Sequence, residues 1–273
     1  MKQLFRIKNE NDVQVAQPVL SIGVGETHFC FAVTDKASED LHLLIYYRAD
    51  EVDTDTLSAI YGEHIELARS YDEVQVCFDH SKNALIPAEQ FHVGLSKSLL
   101  DDLHGKHGID AVATEPIKEW QIQNIYAVPA DVKDWVIRKF PKAQSRHYFT
   151  LAFKAMTTGE SDRILLNIYT DDFSFIAIKN NKLVIAQTHV YSSPEDISYI
   201  LLKACHQFSL SQDSVELSVT GLIEKESQLY RELYHFFVNV DLRQPTWNIP
   251  HSDRQEYPAH YFTILNDLSR CAS

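Results

Sequence analysis

Short apolar runs separated by polar turns dominate the chain from Val19 onward. Val19–Val24 reads as a strand, Gly25-Glu26 as a turn, and Thr27–Val33 alternates so that Phe29, Phe31 and Val33 share one face. Leu41–Tyr47 is a third strand-like run. Leu57, Ile60, Tyr61, His64, Leu67, Ala68 and Tyr71 then recur in steps of three and four, which predicts an amphipathic helix. Asp53 or Asp55 can cap it, and Val74–Phe78 forms a fourth strand.

The same order returns after residue 160. Ile164–Tyr169 is strand-like, Asp171-Asp172 can turn, and Phe173–Ile178 alternates. Asn180-Asn181 suits a two-residue hairpin, because asparagine tolerates positive φ. Leu183–Thr188 follows as a strand. Ser193-Pro194-Glu195-Asp196 supplies an N-cap, a proline at N1 and an acid at N3 for a helix with Ile197, Ile200, Leu201, Ala204, Cys205 and Phe208 on its apolar face. Val215–Val219 closes the set. A tetrapeptide echo accompanies it: His147-Tyr148-Phe149-Thr150 recurs as His260-Tyr261-Phe262-Thr263, each opening a helical pattern. Matched element order and the echo together point to an internal duplication.

Residues 81–145 have no counterpart in the second half. They predict a helix from Ser98 to His107, strands near Ala111–Thr114 and Ile122–Val128, and a helix over Ala130–Phe140. Tyr230–Val240 mixes a helix end with a short strand, and Gln244–Tyr257 reads as a loop. The expected fold is α/β with two ribonuclease-H-like halves and a cleft between them. Residues 1–160 form the first half, with an elaboration near 81–145, and 161–273 the second; the polar break Thr157-Thr158-Gly159-Glu160 divides them.

Composition narrows the chemistry. The chain of 273 residues holds only 8 glycines, and neither GxGxxG nor GxxxxGK[ST] occurs, which excludes the two commonest phosphate-cradling loops. The net charge of −13 is spread over both halves without a Lys/Arg cluster, so nucleic acid is not expected as a partner. Asp50, Glu51, Asp53 and Asp55 read as a solvated loop and helix start. Cys30, Cys77, Cys205 and Cys271 are far apart in sequence, so no zinc knuckle or redox CxxC exists, and three of them sit in apolar runs as small core residues. No signal-peptide core lies in Met1–Val15, and no window approaches the length of a membrane-spanning helix. The expectation is a cytoplasmic protein.

Two repeats of three antiparallel strands, a helix and a parallel strand resemble the halves of the actin-like ATPase superfamily, which includes actin, sugar kinases and chaperone ATPases. Local motifs look closer to a bacterial family catalogued as domain of unknown function 3822. They are Ala84-Leu85-Ile86-Pro87 with Phe91, Ile125-Tyr126-Ala127-Val128-Pro129, Phe140-Pro141, His147 and Leu166-Asn167-Ile168-Tyr169. The resemblance implies an actin-like fold with no assigned activity. In working members of the superfamily each half opens with a strand ending in Asp-x-Gly, whose aspartates organise Mg²⁺ and water. Here the first such position is Ser21-Ile22-Gly23-Val24-Gly25-Glu26-Thr27, which keeps the glycines and offers the Thr27 hydroxyl but replaces the aspartate by Ser21. The second, Asn167-Ile168-Tyr169-Thr170-Asp171-Asp172, has no glycine, puts Asn167 in place of the aspartate, and adds two carboxylates beside any phosphate. The adenosine loop, Val219-Thr220-Gly221-Leu222, keeps one glycine of two.

Two further constellations compete. Glu26, Asp35 and Asp79 are strand-end carboxylates that a two-metal nuclease would need to converge, yet the first strand carries none. His104 and His107 around Gly105 and Gly108 read as a helix end rather than a metal pair, and His147 and His260 as packing or capping groups. Trp247, flanked by Pro245 and Pro250, packs over the core or anchors a partner. The first expectation is a non-catalytic actin-like scaffold that binds an unidentified protein. The alternative is a nucleotide- or small-ligand-binding protein using Gly23, Gly25, Thr27 and Gly221, with ATP as its candidate ligand but no efficient hydrolysis. An enzyme acting outside these motifs is a third reading, with no residue to carry it. No catalytic residue, metal or required cofactor is expected.

Overall fold

The computed structural model describes residues 1–9, 15–106, 110–156, 161–249 and 257–271. His107, Gly108, Thr157–Glu160 and Pro250, which entered the sequence reading, lie outside the described residues. The chain packs as two compact units. One comprises Met1–Ala155 with Thr246–Asp253 and Leu265–Ser273, the other Met156–Pro245 with Arg254–Ile264.

The first unit is built on a six-stranded sheet of β1 (Lys2–Lys8), β2 (Pro18–Gly25), β3 (His28–Asp35), β4 (Leu41–Arg48), β5 (Glu73–Asp79) and β9 (Gln144–His147), in the order β1-β4-β3-β2-β5-β9. β1 to β4, β4 to β3 and β3 to β2 are antiparallel, while β2 to β5 and β5 to β9 are parallel. The alternation seen in sequence sorts the sheet into two faces. Leu20, Ile22, Val24, Phe29, Phe31, Val33, Ile45, Val76 and Phe78 fall on the face covered by α1 (Thr54–Glu63) and α3 (Ala130–Lys139). Asp53 caps α1, its Oδ1 accepting from Thr56 N at 2.8 Å.

α1 stops at Glu63 rather than continuing to Tyr71. His64 is extended (φ −119°, ψ 98°), and a single 3-10 turn over Ile65–Ala68 carries Leu67 to the core and leaves Ile65 exposed. β1 was not foreseen. Only Ile7 of its seven residues is buried, so a charged edge strand reads as a polar terminus.

Residues 81–145 supply β6 (Asn83–Pro87), α2 (Ser96–His104), β7 (Asp110–Ile117), β8 (Ile122–Pro129) and α3. The three strands form their own antiparallel sheet, β6-β8-β7. α2 covers Ala84, Ile125 and Ala127 on one of its faces, and Tyr126 and Val128 join the main core from the other. α4 (Tyr148–Ala155) follows β9.

The second unit has a five-stranded sheet of β10 (Arg163–Ile168), β11 (Asp172–Lys179), β12 (Lys182–Val190), β13 (Glu216–Gly221) and β14 (Asn239–Leu242), ordered β12-β11-β10-β13-β14. Two antiparallel pairings are followed by two parallel ones, as in the first sheet without its edge strand β1. Asn180 and Asn181 take positive φ in the β11–β12 turn, as their type permits. α5 (Pro194–Phe208) starts as its sequence dictates, the Asp196 carboxylate accepting from Ser192 N and Ser193 N at 2.9 and 3.0 Å. Its buried Ile197, Leu201, Ala204 and Cys205 pack with Leu233 of α6 (Gln228–Phe236) on Phe173, Phe175 and Val219. Residues 263–269 form α7 (Thr263–Ser269).

Candidate functional site

Each unit places a polar constellation where its central parallel strands end. In the first unit these are β2 and β5, with Gly25 paired to Asp79. Glu26 and Thr27 make the two-residue turn into β3. Glu26 Oε1 accepts from Ser81 N and Ser81 Oγ at 2.9 and 2.7 Å, which ties the hairpin to the chain leaving β5. Thr27 is half-buried, and its carbonyl accepts from Ala49 N at 2.8 Å.

Both hairpin glycines have an internal packing reason. A Cβ on Gly25 would collide with the His28 imidazole, and a Cβ on Gly23 would lie 2.7 Å from Cys30 Sγ. The His28 ring thus lies against the Gly25 backbone and stacks on Tyr46 at 5.8 Å. Ser21, at the position the superfamily gives to aspartate, is buried in mid-strand between Ala32 and Gln75, and its Oγ has no hydrogen-bond partner.

Beside this hairpin lie three buried imidazoles. Burial holds His28 and His147 down to about 3 and His80 to about 4, with their mutual proximity adding to the effect on His28 and His147. Glu26 and Asp110 oppose the shift at His80. His147 Nδ1 accepts from Phe149 N at 3.2 Å, so its proton sits on Nε2 and donates to the His80 carbonyl at 3.0 Å. Glu115 takes His147 N at 3.1 Å on each oxygen and the Tyr126 hydroxyl at 2.7 Å. Burial pushes the Cys30 thiol up to about 12 and raises Cys77 well above its ordinary value, so neither is a thiolate nucleophile near neutrality. Acid, base and nucleophile candidates in this cluster are therefore held neutral or committed to internal hydrogen bonds.

The carboxylates read from sequence do not converge. Asp35 pairs with Pro18 at the start of β2, whereas Asp79 pairs with Gly25 at its end, about 23 Å away along the strand. Asp35 is occupied by Ala16 N, Gln17 N and Ala37 N, and these donors hold it below the usual carboxylate range against the opposing effect of burial. Among the described residues no group of three His, Cys, Asp or Glu side chains could hold a metal ion.

In the second unit the corresponding strands are β10 and β13, with Ile168 paired to Gly221. Gly221 has φ +86°, and a Cβ there would run into the Ile168 carbonyl oxygen. That oxygen accepts from Leu222 N at 2.7 Å. The β10–β11 turn is closed on itself: Tyr169 N donates to Asp172 O at 2.9 Å, and Tyr191 donates its hydroxyl to Tyr169 O at 2.8 Å and its N–H to Asp171 O at 3.1 Å. Tyr191 is raised by burial, then by Asp171 and Asp172. Asn167 is buried, its Oδ1 accepting from Thr220 Oγ1 at 2.9 Å.

The echoed tetrapeptide performs one task twice. His260 Nε2 sits 2.6 Å from Ile223 O, just beyond β13, as His147 Nε2 meets His80 O just beyond β5. Sequence located both histidines and held Tyr126 within a family motif, but did not single out His28, His80 or Glu115. Their assembly depends on strand register rather than on spacing along the chain. Trp247 is buried, 5% exposed, which rules it out as an exposed anchor.

Comparison with known proteins fits these two sheets. A Bacteroides thetaiotaomicron protein with actin-like ATPase fold and unknown function superposes with a TM-score of 0.71 at 22% identity, over 83% of this chain and 90% of that one. A PilM-PilN type IV pilus biogenesis complex matches at 0.58 and 10% identity, over 93% and 98%. The ethanolamine utilization protein EutJ from Carboxydothermus hydrogenoformans matches at 0.52 and 11%, over 96% and 92%. The fold is that of actin-like ATPases. No curated protein matches the sequence. The family described as protein of unknown function (DUF3822) matches residues 8–240, and the chain belongs to that family.

Proposed function

We propose that this chain is an actin-like scaffold that acts by binding a protein partner in the cytoplasm and does not turn over ATP. The observation that carries this reading is the β10–β11 turn. Where phosphate would need small residues and available N–H groups, Tyr169 brings a bulky side chain and commits its N–H to Asp172 O, and Asp171 and Asp172 bring negative charge. Ser21 and Asn167 add that both strand positions expected to carry a hard metal ligand carry a neutral side chain instead. A protein of the same fold, PilM, is found in complex with PilN, which supports a protein as the class of partner. The net charge of −13 disfavours nucleic acid. The matched strand orders and the two histidine contacts support descent of the units from one duplicated ancestor.

The alternative assigns Gly23, Gly25, Thr27 and Gly221 to a bound nucleotide. Internal packing already accounts for each of the glycines, which weakens it. Calorimetry with ATP and Mg²⁺ decides. The scaffold reading expects no heat of binding. Binding that Gly221→Arg abolishes would overturn it.

A further inference from the structure

The two main sheets differ at one matching edge. In the first unit β4 is the third strand of the β2–β3–β4 run; β1 pairs antiparallel along its outer side, and six of its eight residues are buried. In the second unit β12 is the third strand of the β10–β11–β12 run; it ends the sheet, and none of its nine residues is buried. We propose that the β12 edge is an interface between copies of this chain, two β12 strands pairing antiparallel about a two-fold axis so that their sheets join. The interface does not depend on whether nucleotide binds.

Open strand edges invite pairing, and proteins blunt them with charge, proline or shortness. The other sheet edges among the described residues carry such devices. β1 bears Lys2, Arg6 and Lys8, and β7 contains Asp110, Glu115 and Pro116. β9 and β14 have four residues each, and β6 has five and ends in Pro87. β12 has no proline, and no Asp, Glu, Lys or Arg lies between Leu183 and Val190. Its one irregularity is the extra residue Val184, between the partners of Ala177 and Ile178, so the regular open row runs from Ala186 to Val190.

The register shows which backbone groups face outward. Tyr191 N donates to Asp171 O at 3.1 Å, so the bonded pairs between β11 and β12 alternate from there, at His189 with Phe173 and at Gln187 with Phe175. Ala186, Thr188 and Val190 take the intervening places and direct their N–H and C=O groups away from β11. The 2.7 Å contact between Ser174 Oγ and Thr188 Oγ1 fits the closer approach of such a pair.

A second β12 answers this row. With the axis at Thr188, Ala186 faces Val190 of the second copy, Gln187 faces His189, Thr188 faces Thr188, and about six backbone hydrogen bonds form between the chains. Opposed threonines are favourable cross-strand neighbours. Gln187 and His189 already hydrogen-bond at 3.0 Å within one chain, so the same two groups can pair across the axis. Val190, 84% exposed, gains a neighbour. Two copies that each carry a net charge of −13 repel wherever their acids meet, and this row opposes none. An isologous two-fold contact of this kind closes on itself as a dimer.

Sedimentation velocity between about 1 μM and about 100 μM tests this. The wild-type chain should pass from the mass of one chain to that of two. Thr188→Lys and Thr188→Glu each set like charges opposite one another on the axis, and each should weaken association at least about tenfold. Mixed in equal amounts, the two should recover the dimer, a rescue that misfolded variants cannot give. Thr188→Cys, in a Cys271→Ser background, should cross-link to itself under mild oxidation, and Val190→Cys, displaced from the axis, should not. A wild-type chain that stays single throughout this range would overturn the proposal. So would a dimer indifferent to both charged variants, or failure of both the mixed rescue and the Thr188→Cys cross-link.

Discussion

Acidification from about pH 7.5 to about pH 5.0 should remove roughly 6 kcal/mol of stability from the first unit. His28 and His147 are held to about 3 and His80 to about 4, against an ordinary value of 6.5. Because these values are lowered, the unfolded chain takes up protons first. Stability is complete above about pH 6.5, and declines as pH falls from there toward the folded values. Within that window each imidazole contributes a slope of up to about 1.4 kcal/mol per pH unit. At about pH 5.0 each has cost about 2 kcal/mol, and the sum rivals the whole stability of an ordinary domain. Carboxylates add little slope there, since they protonate lower; Asp35 in particular is held below its usual range. The assay is denaturant unfolding followed by tryptophan fluorescence. Trp120, Trp135 and Trp247 all belong to the first unit, so the signal reports it alone. In His147→Gln the amide can still donate to the His80 carbonyl, and the pH slope should fall by about one third. A stability independent of pH across this range, or a slope unchanged in His147→Gln, would refute the reasoning.

Three further outcomes are expected. Gly23→Ala should cost about 1–3 kcal/mol by overpacking against Cys30 Sγ, and Gly23→Ala/Cys30→Ala should recover most of it in a double-mutant cycle. Gly221→Ala should lose about 2 kcal/mol or more, through its positive φ and the Ile168 carbonyl, read as a lowered circular-dichroism midpoint with the tryptophan transition unmoved. Asn167→Asp would place a carboxylate in a buried position beside Thr220, lowering the melting temperature by several degrees without creating ATP hydrolysis in a phosphate-release assay.

The two sheets were legible because burial on each face leaves an alternating trace. Phe29, Phe31 and Val33, or Phe173 and Phe175, declare their face without reference to any neighbour. β1 escaped because an edge strand with only Ile7 buried carries almost no such trace. The glycines were visible, but not their purpose. Gly25 is glycine because the imidazole of His28 crosses its backbone in the hairpin, and hairpin register is not a property of spacing alone. The buried histidine cluster was likewise hidden, since His28 of β3, His80 just beyond β5 and His147 at the end of β9 lie far apart in sequence. The repeated tetrapeptide was the exception: one local motif marks both His147 and His260, each of which meets a backbone carbonyl just beyond a strand.

Residues Thr246–Ile249 and Leu265–Cys271 belong to the first unit, with Leu265 approaching Gly23 of β2 and Leu268 buried. During synthesis the first unit therefore emerges almost entirely, then waits while the second is made, before its last core residues leave the ribosome. The usual order, in which an N-terminal domain finishes folding first, is unavailable to this chain. Closing contacts of such long sequence separation slows folding, and the exposed surface near Gly23 must be tolerated or shielded meanwhile. A chain cut after Pro245 would carry that vulnerability permanently.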